Sequence, residues 1–296
     1  RYIGDWSSDV CSSDLFFEFL IGGKKEMKKI VLGVMVASLA LTLGASTGFA
    51  AKKKGYVEGA AGAGSIAGTV MLKGAAMAPI MEDLSKGKNV EFCATHPDAK
   101  EGIRPRIKVS AAGGKLKDAV VFIEKIETGK PWGDGGKMTF DFAICDITQK
   151  MGVVRKPSKA EKKAGGLVKI INQDADILHN PHGYSVVGAS RKTLFNKPLP
   201  SKGDVADVTK NIARLKQKKD KHFFLQCDQH NYMEADARIV WNPYYAITGA
   251  DGSFKIDGVP AGKYKVTAWQ PYVGETSMEV TVGAGEAKAD FTLAAK

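Results

Sequence analysis

The sequence is poor in cysteine, with four in 296 residues. None of them begins a Cys-x-x-Cys-His motif, which argues against a covalently attached c-type haem. The chain also lacks the alternation of strands and helices that is typical of a parallel sheet, and no convincing helical pattern follows Lys221. Basic and aromatic residues are not interleaved, so nucleic acid is not an expected partner.

The first 50 residues are expected to lie outside the working protein. Residues 1–26 resemble a translated sequencing adapter, and we interpret them as an artefact upstream of Met27. Residues 27–50 have the layout of a secretory signal peptide: Lys28 and Lys29 precede an apolar segment, and small residues end at Ala50. The apolar segment is short for a membrane span, although an uncleaved N-terminal anchor is the alternative. The mature protein is therefore predicted to be exported, to the periplasm or the extracellular space.

The chain carries a basic excess, with a formal net charge of +11. Residues 1–50 contain five residues of each sign, so the predicted mature chain keeps this charge with 38 basic and 27 acidic residues. Such an excess favours acidic partners, such as an acidic redox protein, and permits association with an anionic membrane surface.

Short alternating or β-branched segments dominate the mature chain. Residues 51–63 are rich in lysine, glycine and alanine and are predicted to be a flexible lead, and the Lys-rich stretch 155–163 is predicted to be a solvated loop. Strands are predicted over 65–73, 119–123, 138–144 and 166–172, and more short strands joined by Gly, Asp and Pro turns follow Trp241. The predicted fold class is all-β, with the strands packed as sandwiches.

Three cysteines remain in the predicted mature chain, and an odd number in an exported protein suggests one disulfide and one thiol with another role. If Cys227 binds a metal, Cys93 and Cys145 are the natural pair. Cys93 also begins a Cys-x-x-His sequence that ends at His96. No strand pattern surrounds it and no Met follows at the matching offset, so it is interpreted as a loop.

One stretch concentrates metal-binding side chains. Cys227, His230 and Met233 stand at positions i, i+3 and i+6 between two β-like segments, and His179 follows another predicted strand. A thiolate and a thioether suit Cu(I), and imidazoles accommodate Cu(II) as well. Two His, one Cys and one Met are the ligand set of a blue-copper site, so these four residues are the candidate metal ligands.

The order His179-Asn180, then Cys227-x-x-His230-x-x-Met233, resembles the cupredoxin family, and its short ligand loop is similar to that of the amicyanins. The resemblance implies a Greek-key sandwich over residues 64–242 that holds one mononuclear type 1 copper. It also implies a one-electron carrier that is not an enzyme and has no small-molecule substrate. By the same resemblance, His179, Cys227 and His230 are equatorial ligands, Met233 is a weak axial ligand, and His230 lies at an exposed edge where electrons leave.

Residues 243–296 resemble a different family, the carboxypeptidase-regulatory-like or transthyretin-type β modules. The resemblance rests on residues 248–256 and 259–264, which read as a strand, a Gly/Asp turn and a second strand. Such modules carry no chemistry of their own, so a second, small β-sandwich is expected there.

Other interpretations of the candidate ligands remain open at the level of sequence. Cys and His also bind structural zinc, although zinc sites do not use Met, and a secreted binding or scaffold protein with a structural or storage metal site is the competing function. A Cys–His nucleophile needs an orienting group and a pocket. His182 is the replacement ligand if His179 does not serve, and Asp174 and Asp176 are interpreted as turn formers rather than calcium ligands.

Overall fold

The computed structural model of the protein describes residues 55–295. The predicted artefact and signal peptide lie outside these residues. The strands in chain order are β1 (Val57–Glu58), β2 (Gly64–Lys73), β3 (Ile80–Asp83), β4 (Ile103–Arg106), β5 (Ala111–Ala112), β6 (Lys115–Leu116), β7 (Val120–Ile123), β8 (Thr128–Gly129), β9 (Met138–Phe142), β10 (Met151–Arg155), β11 (Val168–Asn172), β12 (Pro181–Val187), β13 (Ser190–Asn196), β14 (Val205–Asp207), β15 (His222–Cys227), β16 (Glu234–Val240), β17 (Tyr245–Ile247), β18 (Ser253–Val259), β19 (Gly262–Gln270), β20 (Gly274–Val282), β21 (Glu286–Lys288) and β22 (Phe291–Ala294).

The helices are short: α1 (Val90–Cys93), α2 (Lys159–Ala164), α3 (Thr209–Ile212) and one 3-10 turn, Leu84–Lys86. None of the helices within residues 55–295 is long and apolar enough to cross a membrane. The predicted all-β sandwich class is confirmed.

The first sandwich has a five-stranded sheet in the order β10-β16-β15-β12-β13 and a three-stranded sheet in the order β14-β11-β9. Their inner side chains form one buried cluster, in which the Phe140 and Phe223 rings stack across the two sheets at 6.0 Å between centroids. Because successive side chains of a strand point to opposite faces, β15 sends Phe223, Leu225 and Cys227 into this cluster. Cys227 therefore ends a strand with its thiol in the core.

The second sandwich combines strands from both ends of the chain. β2 pairs with β18 on one side and with β21 and β22 on the other, while β7 lies between β17 and β19. The expected division into residues 64–242 and 243–296 therefore differs from the observed one, because Gly64–Lys73 and Val120–Ile123 belong to the sheets of the C-terminal strands. Those strands need β2 and β7 as their central partners.

A small apolar cluster joins the two sandwiches. It contains Val153 and Val240 from the first sandwich and Val120, Phe122 and Trp269 from the second. All seven residues of β16 are buried, because one face of this strand lines the first core and the other face lies toward the second sandwich.

Two segments that were expected to be a flexible lead and a solvated loop contain regular secondary structure. Val57–Glu58 pairs in parallel with Thr128–Gly129, so this part of the predicted flexible lead is held as a strand. Residues 155–163 are not simply a solvated loop, since Lys159–Ala164 is helical. A capping box explains the helix: Ser158 accepts from the Glu161 amide while the Glu161 carboxylate accepts from the Ser158 amide.

Candidate metal centre

The metal-binding loop leaves the end of β15 and returns as β16. The amide of Cys227 donates to the carbonyl of Met233 at 3.1 Å, and the amide of Met233 donates to the carbonyl of His230 at 2.9 Å. These two bonds close the loop into a tight turn. His179 lies in the segment before β12. Its backbone amide donates to the carbonyl of Leu199, and its carbonyl accepts from the amide of Leu199.

Three of the four candidate ligands meet at one point. The Sγ of Cys227 lies 3.6 Å from Nδ1 of His179 and 3.7 Å from Nδ1 of His230. These donor atoms all lie within 4.8 Å of one another, and each residue is buried. Met233 is fully buried in the same cluster as Cys227. The structure thus brings His179, Cys227 and His230 together, with Met233 on the same short loop.

A buried carboxylate orients His179. Asp174 Oδ2 accepts a hydrogen bond from His179 Nε2 at 2.9 Å and another from the amide of Cys145 at 2.9 Å, while Oδ1 accepts from the amide of Ile144 at 2.6 Å. Burial opposes the charged carboxylate, but these hydrogen bonds outweigh it and hold the pKa of Asp174 below its ordinary value. Because the carboxylate accepts a hydrogen bond from Nε2, the proton of His179 is on Nε2. Nδ1 is therefore the free acceptor, and it faces the thiol.

His230 is held in a comparable way but by an amide. Its Nε2 lies 3.2 Å from Oδ1 of Asn89, a residue with a left-handed backbone conformation (φ 53°) directly before α1. We call residues 84–93 the cap segment. A second bond, from Lys88 Nζ to Gln229 Oε1 at 2.7 Å, ties the same segment to the ligand loop.

The cap segment overturns the expectation of an exposed His230. The side chain is buried, with 2% of the residue exposed, and its Nε2 is bonded to Asn89 of the cap segment. The cap segment lies within the long stretch between β2 and β4.

The thiol of Cys227 has strong thiolate character. Burial raises its pKa, but hydrogen bonding with His179 and His230 and from the Asn180 amide, at 3.4 Å from Sγ, lowers the pKa to about 6. Asn180 thus supports the sulfur with its backbone amide, while its side chain bonds Asp228. Burial alone would lower the pKa of His179, but its hydrogen bonds with Asp174 and Cys227 outweigh burial and raise it.

Cys93 and Cys145 are joined as a disulfide, and Cys227 is the free cysteine of the described residues. The disulfide lies beside the candidate metal centre: both sulfur atoms and a ring nitrogen of His230 lie within 4.8 Å of one another. Arg104 donates to the carbonyl of Cys145 at 2.9 Å and holds that side of the bridge.

The other polar candidates lie elsewhere. His182 bonds Asp228 at 3.1 Å and Thr193 at 3.0 Å, outside the group around Cys227. Asp176 is exposed, while Asp174 orients a ligand, a role that its place in a turn did not indicate. Asn89 was also missed, because nothing in the sequence links it to a histidine 141 positions away.

The donor set fits a soft transition metal and does not fit the competing chemistries. Two imidazole rings turn Nδ1 toward one thiolate, and the Nε2 atom of each ring is already in a hydrogen bond. The set therefore has two nitrogen donors and one sulfur donor. Calcium needs several oxygen ligands, and Asp174, the carboxylate bonded to His179, already holds three donors. A nucleophilic role for Cys227 needs substrate access, but the thiol is fully buried.

Comparisons with known proteins show weak similarity over parts of the chain. Residues 242–289 match a family model described as polysaccharide lyase family 4, domain II, and no match supports the transthyretin-type resemblance. The search of curated proteins found no match. A reduced Cu(I) form of an amicyanin mutant is 16% identical over 35% of this chain and 82% of its own, with a TM-score of 0.23.

The copper-containing nitrite reductase of Thermus scotoductus is 16% identical over 34% of this chain and 22% of its own, also with a TM-score of 0.23. An oxidized amicyanin mutant is 14% identical over 41% of this chain and 98% of its own, with the same TM-score. Likenesses at this level carry no functional argument, so function is inferred from the side chains at Cys227.

Proposed function

We propose that the protein binds one copper ion at His179, Cys227 and His230, with Met233 as a weak axial ligand, and that it carries single electrons outside the cytoplasm. The observation that carries this proposal is the position of the Cys227 sulfur, 3.6 and 3.7 Å from two imidazole nitrogens. Bound copper would supply a one-electron couple between Cu(I) and Cu(II).

The surroundings of the ligands support a site that changes little between oxidation states. His179 is fixed by Asp174 and His230 by Asn89, and both rings are buried. Partners of this kind orient metal ligands and tune the metal. Phe223 and Leu225 share the buried cluster with Cys227 and exclude water from the sulfur. The chain therefore holds the donors in place without needing the metal to assemble them.

The redox partner is proposed to be an acidic protein, on the basis of the net charge of +11. Lys88 marks one place for such a contact, because its ammonium group bonds Gln229 on the ligand loop. The same charge permits association with an anionic membrane surface.

A second candidate function is a secreted binding or scaffold protein whose metal site is structural or serves for storage. The burial of His230 favours it, because structural metal sites are closed whereas reactive sites keep an open position. Met233 as the fourth candidate ligand disfavours zinc in that role.

The test is the visible spectrum of the metal-free protein after addition of Cu(II). An intense thiolate-to-copper charge-transfer band that disappears reversibly on reduction is expected for the wild-type protein, and Cys227→Ser should abolish it. His182→Gln is the matched control, since this imidazole bonds Asp228 and lies outside the ligand group, so it should keep the band. A colourless protein that binds Zn(II) instead would replace the first candidate by the second.

A further inference from the structure

His230 has two sets of sulfur neighbours. One is Cys227, and the other is the pair Cys93 and Cys145, whose sulfur atoms lie with a ring nitrogen of His230 inside a 4.8 Å group. All three members of this second group are buried. In the structure the two cysteines form a disulfide, and disulfide sulfur lacks the thiolate charge that binds metal ions.

Reduction would change the chemistry of this group. Cleavage of the S–S bond takes two electrons and two protons from a dithiol, which becomes a disulfide, and leaves two thiols at Cys93 and Cys145. On metal binding the thiols release their protons to solvent. Two thiolates and one imidazole form a soft donor set that suits Cu(I) and Zn(II).

The two cysteines lie on different segments of the chain. Cys93 ends α1, a helix of four residues within the cap segment. Cys145 lies in a turn with a left-handed backbone (φ 52°) that is held by Asp174 and Arg104. Both sulfur atoms are buried, so a reductant reaches the bridge only when this part of the chain opens locally.

We propose that Cys93, Cys145 and His230 form a second, redox-controlled site for a soft metal ion, which becomes available when the disulfide is reduced. His230 belongs to both groups, so reduction adds two thiols to the sulfur that this imidazole already has beside it in Cys227. The second site itself does not depend on copper binding at Cys227, which allows the two to be tested separately.

The experiment uses Cys227→Ser, which removes the thiolate of the first group and keeps the second. Binding of Cu(I) is measured by competition with a chromogenic Cu(I) chelator, before and after reduction with a phosphine. The disulfide oxidises the phosphine to its oxide, with the oxygen atom supplied by water, and the bridge becomes two thiols. The phosphine adds no competing thiol, and it is removed before the titration because phosphines themselves bind Cu(I). One tightly bound Cu(I) is expected after reduction and none before, with thiol counting to verify cleavage.

Two further variants complete the design. Adding His230→Ala to Cys227→Ser should weaken the reduced-state affinity by about 10-fold or more, as expected for loss of a ligand group. Cys93→Ser/Cys145→Ser keeps Cys227 and should bind copper identically with and without phosphine. If this double variant binds copper but reduced Cys227→Ser does not, the second site is overturned while the proposed function stands.

Folding of each protein is checked by circular dichroism. If Cys227→Ser unfolds on reduction, the comparison moves to Zn(II) titration of the reduced wild-type protein against Cys93→Ser/Cys145→Ser. An additional bound zinc, or an affinity at least about 10-fold higher, supports the second site. Equal stoichiometry and affinity in the two proteins overturn it.

Discussion

Asp174→Asn tests whether the buried carboxylate orients His179. An amide has one oxygen where the carboxylate has two, so one side of the group becomes a donor. If the amide nitrogen replaces Oδ1, it faces the amide of Ile144, and if it replaces Oδ2, it faces the Cys145 amide and His179 Nε2. In the second case the ring can accept only by moving its proton to Nδ1, where it would block the approach to Cys227.

The magnitude follows from these contacts. A hydrogen bond to a charged group contributes about 1.5–3 kcal/mol, and a buried donor without an acceptor costs about 1–3 kcal/mol. We therefore expect Asp174→Asn to lower the free energy of unfolding of the metal-free protein by about 2–4 kcal/mol. Loss of such a partner also lowers metal affinity by about 10–100-fold.

The assays are urea unfolding of the metal-free protein and copper competition with a chelator. Metal-free protein is needed for the first, because bound metal adds its own stabilisation. Asp176→Asn is the matched control: it makes the same chemical change two residues away, on an exposed side chain with a left-handed backbone that Asn tolerates. Equal effects of the two variants, or no loss of metal affinity in Asp174→Asn, would refute the assigned role.

Three further predictions concern other polar groups of the described residues. Hydrogen bonds from Arg155 hold the pKa of Glu161 at about 2, below the ordinary 4.5. The pair therefore stabilises the fold above about pH 4.5 and loses this contribution as the pH falls toward 2. Glu161→Gln should lower the free energy of unfolding in urea at neutral pH by about 1 kcal/mol, a value reduced because the Glu161 side chain is one-third exposed. The difference in this free energy from the wild-type protein should disappear near pH 2. Asn89→Gly keeps the left-handed backbone but removes the acceptor for His230, so copper affinity should fall about 10-fold, and an unchanged affinity would contradict this contact. Tyr232→Phe removes a buried hydroxyl that has no hydrogen-bond partner within the described residues, so the free energy of unfolding should stay the same or rise by up to about 1 kcal/mol; a loss above about 1 kcal/mol would show an unseen partner.

The ligand loop could be predicted because its information is local. Cys227, His230 and Met233 fall within seven residues at the end of an alternating strand, and a turn of that length places its side chains close together. The contacts that orient the ligands could not be predicted in the same way. Asp174 meets amides some 30 residues earlier in the chain, and Asn89 meets His230 across 141 positions, so only the fold brings them together.

The strands could be predicted from local sequence, but their pairing could not. Sequence pattern identified both strands: alternation predicted 65–73, and a run rich in β-branched residues predicted 119–123. Alternation does not say which neighbour a strand pairs with, and both strands pair with the C-terminal segment. For this reason the boundary expected near residue 242 does not coincide with the division between the two sandwiches, although the class of fold was right.

The cap segment changes how an electron would leave the proposed copper site. An exposed imidazole would let a partner touch a ligand directly, but His230 is covered by Asn89 on one side and has the Tyr232 ring 6.1 Å away between centroids. Because only 2% of His230 is exposed, an electron that left through this ring would pass through a neighbouring residue before it reached a partner. This covering would lengthen the path of the electron and would keep water from a metal bound at the site. The segment that carries Cys93 thus has two contacts with His230: Asn89 covers the ring, and the disulfide lies beside it as the proposed second site.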